Sequence, residues 1–567
     1  MSHGTIVIGE RASALEKKAA ELLADRASKR MGGSLTVVAE GESNDEALAI
    51  VGTPSSSQLI NARGQLPELG EEGFLVEARP GAPAVIAAAH PQGLIFGAGL
   101  LLRASRFSDG RWDRPELSET STPVKQLRPI YFATHFGNWY CHASIEELRE
   151  YIQDLALWGY NALITWFDFH HYKDLEDGTA QWERLGRLDV LAKEVGMKVG
   201  RIAIANESFA GQAPPELTAI GRLEGTGYET DLCPSKPEAR AIILDDRRQF
   251  LTRVSETTSL DWICLWPYDQ GGCNCDQCTP WPKTFMELGR EIAGMTKQVL
   301  PETEIMVSAW WIGTHVAGED EAFFESLSRK ETWFRTIVAG TVELRRWLSQ
   351  EREIPGEYGV LLFPEVSMFD SLPWGSRGAN PAPIKFSAEM AELGPHLIGA
   401  MPYSEGRYED LNKVLWAQLQ WDPSRGLSSI LEDYCRDSFG WQTEEEGPQL
   451  LYDIEAGLRD LSSAAGRLEL ANRLEGRMEE WGLRGWRWQI LKAHTLIDAL
   501  KWEVDSPGTT EERRAEARAE LQEVYERLQH GLYLHDEERS LRDWIYSPFD
   551  VWVTLPFNEL VLPTGSG

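Results

Sequence analysis

The chain has 567 residues, too many for one ordinary domain, and 42% of them are hydrophobic, enough for large cores. Its formal charge of −32 argues against nucleic acid as a partner, because phosphate binding needs clustered Lys and Arg. No apolar run of about 18 residues appears, which excludes a membrane-spanning helix.

The start, Met1-Ser-His-Gly-Thr-Ile-Val-Ile-Gly9, lacks a basic segment followed by an apolar one and reads as the first strand of a domain rather than a leader. Residues 1–123 form an expected small α/β domain. Strands are expected at 5–8, 35–39, 47–51, 73–77 and 84–88, with an amphipathic helix over 12–30 and another opening at Gln92 and running to Leu102.

Residues 124–406 alternate apolar runs with amphipathic stretches. Strands are expected at 129–135, 162–168, 199–205, 262–267, 305–310, 336–339, 358–363 and 397–402, the sixth being the least regular. Helices are expected between them, for example over 145–158 and 281–299. Eight strands with crossover helices define a central (β/α)8 barrel, giving an α/β chain overall. Residues 407–567 carry 3.6-residue apolar periodicity over 411–419, 427–439, 450–461, 468–478, 486–503 and 511–530, so this part is expected to be a helical domain. Its end, 562–567, is expected to be disordered. Trp486 and Trp502 sit at helical spacing and are expected in the core.

Several strand runs end in a carboxylate beside aromatic residues: Leu265-Trp266-Pro267-Tyr268-Asp269, Leu361-Leu362-Phe363-Pro364-Glu365 and Gly399-Ala400-Met401-Pro402-Tyr403-Ser404-Glu405. The C-terminal ends of barrel strands line the active-site mouth. Two carboxyl groups flanking a glycosidic bond are the usual machinery of its hydrolysis, one protonated to assist the leaving oxygen. An aromatic wall favours that protonated form by desolvation. Asp269, Glu365 and Glu405 are therefore the candidate catalytic residues. Each has a structural alternative: a cap of the glycine turn for Asp269, a salt bridge within the barrel for Glu365, and a partner for the N-terminus of the helix starting near Tyr408 for Glu405.

His135, Asp168, His170, His171, Asn206 and Glu207 fall at or beyond the ends of the first three strands and are candidate partners of sugar hydroxyls. Trp139, Trp166, Trp266, Tyr268, Trp310, Trp311, Trp374 and Tyr403 offer flat faces for pyranose rings near strand ends, and Arg407 follows the eighth strand. Cys273-Asn-Cys275-Asp-Gln-Cys278 has a spacing at which three thiolates can share a metal, with Cys233 and eleven histidines as further donors. The favoured reading is a tight turn of buried free thiols. No metal and no cofactor is expected. The seven cysteines form no regular framework, which fits a reducing, cytoplasmic setting. No Walker A motif, dinucleotide fingerprint or HExxH is present.

Three blocks resemble known proteins. Glu72-Gly-Phe-Leu-Val-Glu77, Ala84-Val-Ile-Ala-Ala88 and Pro91-Gln-Gly-Leu-Ile-Phe-Gly-Ala98 resemble the α/β domain that precedes the barrel in bacterial α-glucuronidases and β-hexosaminidases. Leu157-Trp-Gly-Tyr-Asn161 and Asp269-Gln-Gly-Gly-Cys-Asn-Cys-Asp-Gln-Cys278 are similar to barrel families, related to endo-acting β-N-acetylglucosaminidases, that carry a DGGxCxCxxC motif. Phe363-Pro-Glu-Val-Ser-Met368, Pro373-Trp-Gly375, Gly378-Ala-Asn-Pro381 and Pro402-Tyr-Ser-Glu-Gly-Arg-Tyr-Glu-Asp410 resemble bacterial glycoside hydrolases. The resemblance implies a glycoside hydrolase of a small or terminal sugar unit, with an oligosaccharide or glycoside as its partner. It departs from family 20, whose adjacent Asp-Glu pair follows strand four, because Asp269 is followed by Gln270. It departs likewise from the adjacent Asp pair of family 84 and from the strand-four Glu of α-glucuronidases. The alternatives are a carbohydrate-binding protein without catalysis on the same barrel, and a metal-dependent enzyme centred on the cysteines. No membrane partner is expected, and the helical tail is a candidate for pairing subunits into a homodimer.

Overall fold

The computed structural model describes residues 3–42, 47–108, 110–134, 139–221, 230–267, 272–314, 316–366, 381–407 and 409–533. Residues 562–567 therefore lie outside the described part.

The N-terminal part is a six-stranded sheet. His3–Ile8 pairs in parallel with Ser34–Ala39 and Ala47–Gly52, and Ala84–Ala88 extends that parallel half. Phe74–Ala78 and Leu117–Ser121 join antiparallel at the other edge. The helix Ala14–Met31 begins with a capping box, in which Ser13 and Glu16 exchange side-chain to backbone hydrogen bonds, and ends at Gly32 in the left-handed region. The helix Pro91–Ala104 is buried along nearly its whole length, because it packs on the sheet and also on the barrel helix Ile145–Leu157.

The barrel strands are Pro129–Phe132, Ala162–Trp166, Lys198–Ile204, Trp262–Trp266, Glu304–Ser308, Phe334–Gly340, Gly359–Phe363 and an eighth in two pieces, Gly399–Ala400 and Tyr403–Ser404. All pair in parallel with their neighbours. The first piece of the eighth strand pairs with the seventh, and the second piece pairs with the first strand, so the ring closes. Pro402 divides the eighth strand because it has no N–H for the ladder. Helices Ile145–Leu157, Thr179–Glu194, Pro237–Thr257, Trp281–Val299, Glu319–Ser328, Thr341–Ser349, Pro383–Leu393 and Asp410–Trp421 follow the eight strands in turn.

Alternation along the strands sends one set of side chains inward. Tyr131, Ala162, Ile164, Trp166, Ile202, Ile204, Cys264, Trp266, Met306, Val338, Leu361, Phe363, Met401 and Tyr403 fill the interior as a cluster separate from the outer helix-facing core. The irregular sixth slot is a full strand of seven residues.

Helices Leu427–Phe439, Gly447–Gly457, Ala464–Glu475, Glu480–Arg484, Trp486–Asp505 and Glu511–Tyr533 follow among the described residues. Trp486 is partly buried against the core, but Trp502 is 38% exposed, contrary to its expected core position. Helical spacing alone does not say which turn of a long helix is covered. Among the described residues, no helix is long and apolar enough to cross a membrane.

Candidate active site

The mouth of the barrel has an aromatic floor. Phe363 lies at its centre, with ring centroids 5.0 Å from Trp266, 5.4 Å from Trp310, 5.7 Å from Tyr131 and 5.8 Å from Tyr403. Trp166 adjoins Trp266 at 6.2 Å. The inward register of alternate strand positions assembles these rings from five strands, with Trp310 from the segment just after a sixth, Glu304–Ser308. Trp166 and Trp266 are buried, whereas Trp310 is only partly so. Trp310 is thus the ring best placed to meet a ligand, with the other two beneath it. The Trp266 indole nitrogen has no hydrogen-bond partner among the described residues.

Glu365 and Glu405 stand on neighbouring strand ends. Tyr403 N–H donates to the Pro364 carbonyl at 2.9 Å, and Glu365 and Tyr403 form an isolated parallel bridge. The Tyr403 hydroxyl donates to Glu405 Oε1 at 2.7 Å. Glu405 is fully buried, Glu365 only partly. The residue at the start of the following helix is Glu409, not Glu405: Glu409 Oε1 accepts from the Glu405 and Gly406 amides at 3.0 and 3.4 Å and from Ser404 Oγ at 2.5 Å. Lys413, one turn on, lies 3.5 Å from Glu409 with both side chains fully buried, and donates to Ser404 Oγ at 3.0 Å and to the Gly406 carbonyl. Tyr140 hydrogen-bonds Ser404 as well. Burial raises the Glu409 pKa and lowers that of Lys413, in each case against the attraction of the other. This latch fixes the backbone that carries Glu405. Its residues were missed in the sequence, although the Glu409/Lys413 spacing of four on a helix was a usable signal.

A second charged group sits at the ends of strands two and three. His170 Nδ1 lies 2.5 Å from Glu207 Oε1 and 3.7 Å from Asp168 Oδ1, and His171 Nδ1 lies 3.4 Å from Asp168 Oδ2. Asp168 and Glu207 are buried. Burial opposes a charged His170, but Asp168 and the hydrogen bond to Glu207 outweigh it and raise the imidazole to about 9. Burial raises the Asp168 carboxyl, with His170 and His171 pulling it back in part. Arg247 lies behind, donating to the carbonyls of Glu207 at 2.8 Å and Ile204. Glu207 Oε2 has no hydrogen-bond partner among the described residues.

Asn206 is committed to the backbone. Its amide donates to the carbonyls of Leu232 and Gly272 at 3.0 and 3.3 Å and accepts from Gly272 N–H at 2.9 Å. It therefore holds the loop after the fourth strand instead of facing a sugar. Arg407 is likewise engaged: its guanidinium lies 5.3 Å from the Trp139 ring centroid and 5.2 Å from that of Trp486, with Glu147 at 3.7 Å. Trp311 has a left-handed backbone, φ 63°, where its N–H donates to Glu343 Oε1 at 3.1 Å. That strained residue sets the turn behind Trp310. His135, Tyr268, Asp269 and Trp374 lie outside the described residues.

Among the described residues, two groups have the donors for a metal: Asp168, His170 and His171 at the mouth, and Cys233, Cys273, Cys275 and Cys278 beside it. A separate cleft opens at the opposite end of the barrel, lined by Glu72, Gln92, Leu127, Asn161, Lys198 and Trp262. Glu72 there binds Arg128 at 2.7 Å and Asn161 at 2.9 Å, which makes this end a seam between sheet and barrel.

The fold is a (β/α)8 barrel preceded by a six-stranded sheet, and among the described residues its strand ends carry Asp168, Glu207, Glu365 and Glu405. Among solved structures, the chain is similar to BtGH115A, a family GH115 4-O-methyl-α-glucuronidase with specificity for decorated arabinogalactans, with a TM-score of 0.61 and 10% identity over 94% of this chain and 78% of that one. It is similar to a GH138 enzyme targeting pectin rhamnogalacturonan II, with a TM-score of 0.53 and 12% identity over 94% and 75% of the two chains. The GH20 exo-β-N-acetylglucosaminidase of Vibrio harveyi gives a TM-score of 0.52 and 12% identity over 80% and 74%. No family model and no curated protein matches the sequence.

Proposed function

We propose that this chain is a glycoside hydrolase that cleaves a small or terminal sugar unit at the C-terminal mouth of the barrel. The observation that carries the reading is the placement of Glu365 and Glu405 on adjacent strand ends, each beside Tyr403 of the aromatic floor, with the Asp168–His170–Glu207 group on the same rim. Glu365, partly exposed at the floor's edge, serves as the general acid. Asp269 serves as base or orients a substrate group, and Glu405 is the third carboxylate, aimed by Tyr403. Trp310 stacks on the sugar. The charged His170 donates to hydroxyls or to a carboxylate of the substrate.

The test is proton NMR of the protein with α-glucuronides, β-N-acetylglucosaminides and neutral hexosides, with Glu365→Gln run alongside. The expected result is a new anomeric signal from one member, slowed about a hundredfold or more in the variant. The first anomer seen gives retention or inversion. Near-normal turnover by Glu365→Gln removes that residue from the chemistry. Line broadening without product moves the reading to a binding protein.

A further inference from the structure

The four cysteines beside the mouth come from two loops. Cys233 precedes the helix Pro237–Thr257 in the loop after strand three, and Cys273, Cys275 and Cys278 lie in the loop after strand four. Their sulfurs all lie within 4.8 Å of one another. Cys233 Sγ is 3.7 Å from Cys275 Sγ and 3.8 Å from Cys278 Sγ. A disulfide requires about 2.05 Å. A zinc ion bound at about 2.3 Å by four tetrahedral sulfurs sets them about 3.8 Å apart. Cys233, Cys273 and Cys278 are buried and Cys275 partly so. Free thiols can pack at similar pairwise distances, but four sulfurs from two separate loops gathered within 4.8 Å of one another also have the size of a tetrahedral zinc shell.

We propose that Cys233, Cys273, Cys275 and Cys278 bind one Zn2+ as tetrathiolate ligands, and that the ion is structural. The four thiols release their protons to solvent as the ion binds, and four protein ligands leave no position open for water or substrate, so the site is not a catalytic centre. Its surroundings suit thiolates. The Ile220 N–H donates to Cys273 Sγ at 3.4 Å, and Ser235 Oγ lies 3.0 Å from Cys233 Sγ and 3.6 Å from Cys275 Sγ. The consequence is positional. Asn206 already ties the strand-three end to Gly272, and the ion adds a second tie between the same loops, one of which leads from Asp269. This revises the reading of the cysteines as a turn of free thiols.

The test is metal analysis of the full chain purified under reducing conditions from zinc-supplemented culture. About one zinc per chain is expected. Replacing zinc by Co2+ should give the intense visible bands of tetrahedral cobalt thiolate, a readout that needs neither activity nor a variant. Cys275→Ser and Cys278→Ser should lose most of the metal, whereas Cys141→Ser should keep it. Hydrogen exchange on chelation should rise in residues 206–221, 230–236 and 272–280. Wild-type protein that takes up neither zinc nor cobalt overturns the proposal, as does equal zinc in the cysteine variants or disulfides among these four residues in the reduced protein. Iron in place of zinc overturns the choice of ion.

Discussion

His170 shows what burial among carboxylates does to a single side chain. Its imidazole is raised to about 9 from the ordinary 6.5, so the folded state holds the proton more tightly than the unfolded state. The stabilisation is complete below pH 6.5 and is lost as pH climbs through about 9. Its size is on the order of 3 kcal/mol. The stability gap between wild type and His170→Gln should therefore shrink between about pH 6 and about pH 10 in urea unfolding, and a constant gap would contradict the ion pairs seen here. Glu409 and Lys413 invite a different experiment. Lys413→Met strands a buried carboxylate and should cost about 3 kcal/mol, while the double variant Glu409→Gln/Lys413→Met should recover much of it. Failure of that recovery would mean that Lys413 acts through packing and its hydrogen bonds to Ser404 and the Gly406 carbonyl rather than through the charge of Glu409.

At the scale of elements, a buried ion pair ties one barrel strand to the helix that precedes it. Arg201 on the third strand makes a two-pronged ion pair with Asp189 of the helix Thr179–Glu194, at 2.9 and 2.8 Å, with both groups buried. Asp189→Asn should cost about 3 kcal/mol, visible as a lower melting temperature and faster hydrogen exchange in that helix. Six of the eight strands could be read closely from apolar runs, because a strand buried on both faces has no polar alternation to hide it, while the sixth was read three residues short. The eighth could be read only in outline: its position was clear, but Pro402 divides the strand where the pattern runs on. Arg106–Ser108, Arg111–Asp113 and Leu117–Ser121 were missed because they are short, polar and half exposed. The mouth was legible as a set of strand ends, which is why Glu365, Glu405, Asp168 and Glu207 could be named. Which candidates meet was not legible: Cys233 could be named only as one of many possible donors, because its convergence with Cys273, Cys275 and Cys278, like that of Tyr140 with Ser404, is tertiary and leaves no local pattern.

For the molecule as a whole, the sheet and the barrel meet at Glu72. Its carboxylate accepts from Arg128, whose side chain is completely buried, and from Asn161. Glu72→Ala leaves that guanidinium without its partner and should cost about 3 kcal/mol, less to the extent that Glu72 itself is 20% exposed. If sheet and barrel then melt in two steps by calorimetry, the seam is what couples them. A single transition at an unchanged temperature would show that the helix Pro91–Ala104 suffices.

The closing of the ring by Tyr403 and Ser404 also has a consequence in time. Tyr140 and Ser404, which meet across that closure, are 264 residues apart. At about 5–20 residues per second, the first strand waits on the order of tens of seconds on the ribosome for its last neighbour. Throughout that interval one edge of a growing parallel sheet is open to any other strand it meets. A message cut short before Ser404 would leave the edge open permanently. Such a fragment should aggregate where the full chain stays monodisperse, which light scattering of the two would show.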